Sequence, residues 1–94
     1  MKVSVFIHAI GHPIRRDILK RLRNGPMTAG DLAKFHDVSK PTMSEHFKTL
    51  KESGLIRGER DGNRILYHLN ITVAEEAVSL VVDMFGTTKD EKND

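Results

Sequence analysis

The chain has 94 residues, with 15 Lys and Arg, 13 Asp and Glu and no cysteine. It is sized for one small domain, and disulfides, zinc–thiolate sites, thiol catalysis and thiol redox sensing are excluded. Residues 1–70 carry 13 basic against 7 acidic side chains, net +6, whereas residues 71–94 carry 2 against 6, net −4, so a polyanion is expected to meet the body of the chain rather than its end.

Val3, Phe6, Ile7 and Ile10 keep helical spacing, which predicts a short helix over residues 2–10. Gly11-His12-Pro13 breaks it, and Pro13 opens a second helix whose buried face is Ile14, Ile18, Leu19 and Leu22. Asn24-Gly25-Pro26 ends that helix. Thr28-Ala29-Gly30-Asp31 fits a capping box with Asp in the usual place of Glu, and starts a third short helix carrying Leu32, Ala33 and Phe35. This helix ends near His36-Asp37, and Val38 leads into the stretch SKPTMSEHFKTLKESGLI. There Ser39 is a good N-cap, Pro41 sits in a first turn that needs no donor, and Gly54 suits the position just past a helix end. A helix over 39–53 follows, with Met43, Phe47 and Leu50 on one face. The turn between these two helices has the length found in a helix-turn-helix.

After Gly54 the period changes. Residues 55–60 and 64–69 read as two strands around Asp61-Gly62-Asn63, a hairpin signal, with Ile65, Tyr67 and Leu69 sharing a face. Arg57, Arg60 and Arg64 flank the tip. A last helix is predicted over 72–86, with Thr72 as N-cap and Glu75 and Glu76 in its first turn. Its apolar stripe of Ala74, Ala77, Val78, Val81 and Phe85 is widened by Val73, Leu80, Val82 and Met84. One small domain cannot cover so wide a stripe, so a second copy of the chain is expected to do so. Residues 1–86 thus read as one domain and 87–94 as a charged, frayed tail. No stretch approaches the ~18 apolar residues of a membrane span and nothing resembles a signal peptide, so a soluble protein of the cytoplasm is expected.

The expected fold is mainly α with a small β-hairpin, a winged helix-turn-helix that dimerises through its terminal helices. Three segments in this order, AIGHPIRRDILKRL, MTAGDLAKFHDVSKPTMSEHFKTLKESGLI and RDGNRILYHLN, resemble the ArsR/SmtB family of bacterial repressors, and within it the SdpR-like autorepressor branch. The resemblance implies a homodimer that binds a palindromic operator, and allows for a regulatory protein partner. Together with the wide last helix, it places the dimer interface at Val3, Phe6, Ala74, Ala77, Val78, Val81 and Phe85.

In a helix-turn-helix the second helix enters the major groove. Here the side opposite Met43, Phe47 and Leu50 centres near Glu45, which makes Lys40, Pro41, Thr42, Ser44 and Glu45 the candidate base contacts. Lys40 suits guanine O6 or N7, Glu45 suits cytosine N4, and Pro41 suits a thymine methyl. Glu45 has a plainer alternative as a solvated side chain paired with a helix neighbour. His46 lies near the edge of the buried face, where packing or a phosphate contact fits better than base reading. Thr28, Lys48, Arg60, Asn63 and Arg64 are candidate phosphate contacts, and an arginine at a hairpin tip can also enter the minor groove. The wing arginines have the alternative of solubilising a strand edge. Arg15, Arg16, Lys20, Arg21 and Arg23 form the densest basic cluster, for which ion pairs and a solvated helix face are expected.

Other functions have less support. The last helix offers Glu75, Glu76 and Asp83 but no histidine, a poor transition-metal set. His8 and His12 would suit a metal only on a continuous helix, which Gly11 and Pro13 interrupt. No metal and no cofactor are expected. No nucleophile–base pair, phosphate loop or paired-carboxylate cleft points to an enzyme. The competing readings are a winged helix used for protein interaction without specific DNA binding, and a metal-responsive repressor using His8 and His12.

Overall fold

The helix breaks and caps written into the sequence define most of the architecture. In a computed structural model that describes residues 2–86, the elements run α1 (Val3–Ala9), α2 (Pro13–Leu22), β1 (Met27–Thr28), α3 (Ala29–Ala33), α4 (Lys40–Glu52), β2 (Ile56–Asp61), β3 (Arg64–Leu69) and α5 (Ile71–Phe85). The charged segment 87–94, expected to fray, lies outside the described residues. The break between α1 and α2 falls at Gly11-His12, and Pro13 is the first residue of α2. His12 caps α2: its Nδ1 accepts from the Ile14 N–H at 3.1 Å. Thr28 Oγ1 accepts from the Asp31 N–H at 3.1 Å and Ser39 Oγ from the Thr42 N–H at 3.2 Å, so both expected caps form. Gly54 follows the end of α4 with φ +85°, a conformation that disfavours a side chain. Just before it, Ser53 Oγ donates to Leu50 O at 2.7 Å and accepts from the Leu55 N–H, which turns the chain into the wing.

The sheet is antiparallel with order β1-β3-β2. A two-residue loop, Gly62-Asn63, joins β2 to β3, with Asp61 opposite Arg64 and Gly62 at φ +66°. The core is built from Ala9, Ile18, Leu22, Leu32, Met43, Phe47, Leu50, Leu55, Ile56 and Tyr67, so every helix except α5 and two of the three strands feed one cluster. Tyr67 is central to it. It lies opposite Met27 on one side and Gly58 on the other, and its ring stacks on Phe47 with centroids 4.7 Å apart. The hairpin and α4 are therefore clamped through one aromatic pair.

Several boundaries differ from expectation. The strand β1 was not anticipated: two residues show no periodicity, and its partner, β3, lies far along the chain. Phe35 falls beyond α3 and is exposed, its ring covered by the Arg21 guanidinium 3.4 Å from the centroid. The last helix starts at Ile71, because Asn70 Oδ1 accepts from the Val73 N–H at 3.2 Å and so takes the capping role assigned to Thr72. The first turn of α5 consequently holds no acid, and Glu75 and Glu76 lie farther along the helix.

The Phe47 ring is buried on α4 and stacked on the wing. Replacing it with Ala is expected to cost ~3–5 kcal/mol of unfolding free energy, seen as a lower denaturant midpoint.

Candidate nucleic-acid interface

Burial divides α4 sharply. Met43, His46, Phe47 and Leu50 point inward, whereas Lys40, Pro41, Thr42, Ser44, Glu45 and Lys48 are all exposed. Lys40 and Pro41 occupy the first turn, where free N–H groups and the positive end of the helix dipole favour anions. Ser39 Oγ donates to Thr42 Oγ1 at 3.0 Å, so the Thr42 hydroxyl keeps its own proton for an outside acceptor. Arg60, Asn63 and Arg64 are exposed at the wing tip, where Arg64 Nη2 pairs with Asp61 Oδ2 at 2.8 Å. Such an exposed pair is weak and yields readily to a phosphate.

Thr28, Asn63 and Arg64 line one open cleft between the start of α3 and the wing tip. Lys34 lines it too and was not among the expected contacts; it pairs with Asp31 at 3.3 Å. Only its place beside a candidate phosphate residue in the capping-box helix could have flagged it. Thr28 is partly engaged already, since its hydroxyl caps α3 and its backbone lies in β1.

His46 departs from the other expected contacts. It is 7% exposed and faces the interior. Arg15 Nη1 lies 3.0 Å from His46 Nδ1, and the His12 ring centroid lies 4.4 Å from that of His46. Arginine only donates, so Nδ1 is the acceptor and the neutral ring carries its proton on Nε2. Burial, then the charges of His12, Arg15 and His36, push the His46 pKa below its ordinary value of 6.5, against a weaker upward pull from Glu45. Of the roles expected of His46, packing or a phosphate contact, its inward place beside Arg15 favours packing.

The basic cluster on α2 serves mainly as structure. Besides His46, Arg15 reaches Ala9 O at 2.7 Å and His8 O at 2.9 Å, and Arg16 reaches Ile10 O at 2.7 Å. These guanidinium groups satisfy carbonyls at the end of α1. Arg21 Nε bonds Asp17 Oδ2 at 2.7 Å, and His36 Nε2 sits 2.8 Å from the same oxygen without making a regular hydrogen bond. Burial raises the Asp17 pKa, but the hydrogen bond and charge of Arg21, together with His36, outweigh it and hold the carboxyl below its ordinary range.

The first and last helices leave apolar side chains in solvent. Val5 and Ile7 of α1 and Ile71, Val78, Val82, Met84 and Phe85 of α5 are exposed, Phe85 at 78%. Of the expected interface residues, Val78 and Phe85 are open and Val3, Phe6, Ala74 and Val81 are half-buried. Ala77 has no accessible surface within its own protomer and so cannot present itself to a second copy. His8 and His12 sit on either side of the α1–α2 break, and His12 Nδ1 is taken by its capping bond. Among the described residues no group of three His, Cys, Asp or Glu is placed to hold a metal ion, and no helix is long and apolar enough to cross a membrane.

An exposed polar helix behind a helix-turn, flanked by a basic hairpin on a shared core, defines a winged helix-turn-helix DNA-binding protein. The helix-turn-helix domain family matches residues 10–59. The transcriptional repressor SdpR of Bacillus subtilis is 41% identical over 78 residues, covering 83% of this chain and 87% of that protein. The arsenical resistance operon repressor of Staphylococcus aureus is 30% identical over 77 residues, covering 82% and 74%. Among solved structures, an ArsR family transcriptional regulator superposes with a TM-score of 0.73 at 28% identity, covering 87% of this chain and 88% of that one. The chain belongs to the ArsR/SmtB family of winged-helix transcriptional repressors, which are DNA-binding regulators and not enzymes.

Because the folded state holds His46 neutral, the unfolded chain binds more protons below about pH 6.5. Stability is therefore expected to fall as pH drops from 6.5 toward the lowered folded value. Urea midpoints at pH 7.5 and 5.5 measure this, and His46→Gln should be less acid-sensitive than the wild type.

Proposed function

We propose that the chain acts in the cytoplasm as a homodimer that represses transcription by occluding an inverted-repeat operator, with one α4 in the major groove of each half-site. The observation that carries this reading is the division of α4 into a buried apolar face and an exposed face of Lys40, Pro41, Thr42, Ser44, Glu45 and Lys48. In this reading Lys40, Pro41, Thr42, Ser44 and Glu45 meet base edges. Thr28, Lys48, Arg60, Asn63 and Arg64 position the protein on phosphates. Glu45 repels phosphate, so its exposed place near the middle of the outward face suits an amino group on a base. The second copy covers the apolar side chains that α5 leaves in solvent, among them Val78, Val82, Met84 and Phe85. Reading an inverted repeat requires the two α4 helices to sit about one turn of DNA apart, ~34–36 Å.

The decisive experiment is selection of fragmented genomic DNA by the purified protein, followed by titration of the enriched sequences at two salt concentrations. An enriched inverted repeat with affinity falling steeply in salt is expected. Weak binding without sequence preference, indifferent to salt, would instead mean that α4 meets a protein. With an operator in hand, Lys40→Ala combined with Ser44→Ala should cost ~1–3 kcal/mol per lost base contact and relax sequence preference. Arg60→Ala should weaken all sequences alike and lower the salt slope by about one. Val78→Glu should give monomers in sedimentation, since it places a charge in the proposed interface; a persistent dimer would move the interface elsewhere.

A further inference from the structure

The Arg15 side chain sits where three elements meet. From α2 it spends Nε on Ala9 O and Nη2 on His8 O, both at the end of α1, and directs Nη1 at His46 Nδ1 on α4. We infer that Arg15 is a positioning residue that locks the recognition helix to the end of α1 through His46, so that operator binding weakens when His46 takes a proton. This rests on the operator reading above.

The chemistry of the pair makes the lock conditional. A guanidinium offers donors only and does not give up its proton in a protein. The contact at 3.0 Å therefore exists only while Nδ1 holds a lone pair. Protonation sets two donors, both cationic, against each other, and the contact breaks. The groups facing His46 reinforce this. The His12 ring from the α2 cap, Arg15 from α2 and His36 from the connection between α3 and α4 all oppose a positive charge there, while Glu45 on α4 itself favours it. His46 cannot simply turn to water, because it is 7% exposed and is followed in α4 by the buried Phe47. Its displacement shifts the helix that also carries Lys40, Ser44 and Glu45. The other end of the link is α1, whose Val5 and Ile7 are exposed.

The test compares the full-length wild type with His46→Gln and Arg15→Gln, measuring affinity for the selected operator at pH 7.5 and 5.5 at constant ionic strength. Each protein is judged by the ratio of its two affinities, so a general loss of binding does not count. Histidines 8, 12, 36 and 68 remain in all three proteins and supply a common background. The wild type is expected to lose about tenfold more affinity in acid than either variant, the scale of one hydrogen bond to a charged group. Equal ratios in all three overturn the inference. A second measurement needs no DNA and no variant: nitrogen chemical shifts of the His46 ring in the free protein. A neutral ring at pH 7.5 with its proton on Nε2 supports the lock; a charged ring, or a proton on Nδ1, overturns it. Should the wild type bind no duplex at all, the operator reading fails, and the ring shifts still judge the Arg15–His46 link.

Discussion

The burial of one side of α4 is the constraint from which the remaining geometry follows. Phe47 stacks on Tyr67, and Tyr67 lies between Met27 and Gly58 in the central strand. The same contact that roots the helix therefore also roots the wing. Met43 and Leu50 add buried area above and below it, so rolling or sliding the helix costs core packing. A helix held along one face presents the opposite face at a fixed angle. Lys40, Ser44 and Glu45 need no support of their own to be held out toward solvent; their orientation comes from the residues behind them.

Electrostatics then divides the basic side chains into two groups. On α2, Arg15, Arg16 and Arg21 are committed to carbonyl oxygens, Asp17 and the Phe35 ring. They tie the break between α1 and α2 to the rest of the domain. On α4 and the wing, Lys40, Lys48, Arg60 and Arg64 are exposed. The net positive charge of residues 1–70 is thus partly internal reinforcement and only partly a surface field, and the densest cluster in the sequence is not the surface proposed to meet DNA. Charge density along a chain reports composition, whereas a phosphate responds to what remains unpaired at the surface.

The α5 helix illustrates how composition and packing divide the work. Its excess of apolar residues is plain in the sequence. The structure leaves Val78, Val82, Met84 and Phe85 in solvent and seals Ala77 against its own protomer. A small residue at Ala77 lets α5 lie close to the domain, while larger ones around it form the outer surface. That arrangement supports the proposed second copy as the missing cover.

Much of the fold was legible in the chain because its signals are local. Ser39, Pro41 and Gly54 bound the recognition helix through hydrogen bonds and backbone angles that act within a turn, and Asp61-Gly62 does the same for the hairpin. Periodicity alone put Met43, Phe47 and Leu50 on one side and the proposed reading residues on the other. What stayed hidden depends on partners distant in sequence. The strand β1 exists only because Tyr67 and Leu66 lie beside Met27 and Thr28. The α5 cap shifted from Thr72 to Asn70: both residue types suit the role, and Asn70 is the one pinned from a distance, its N–H donating to Leu55 O at 2.8 Å. The place of His46 was decided by Arg15, 31 positions earlier. A histidine at the edge of a helical face can turn outward or inward, and only the tertiary structure supplies the donor that turns it in.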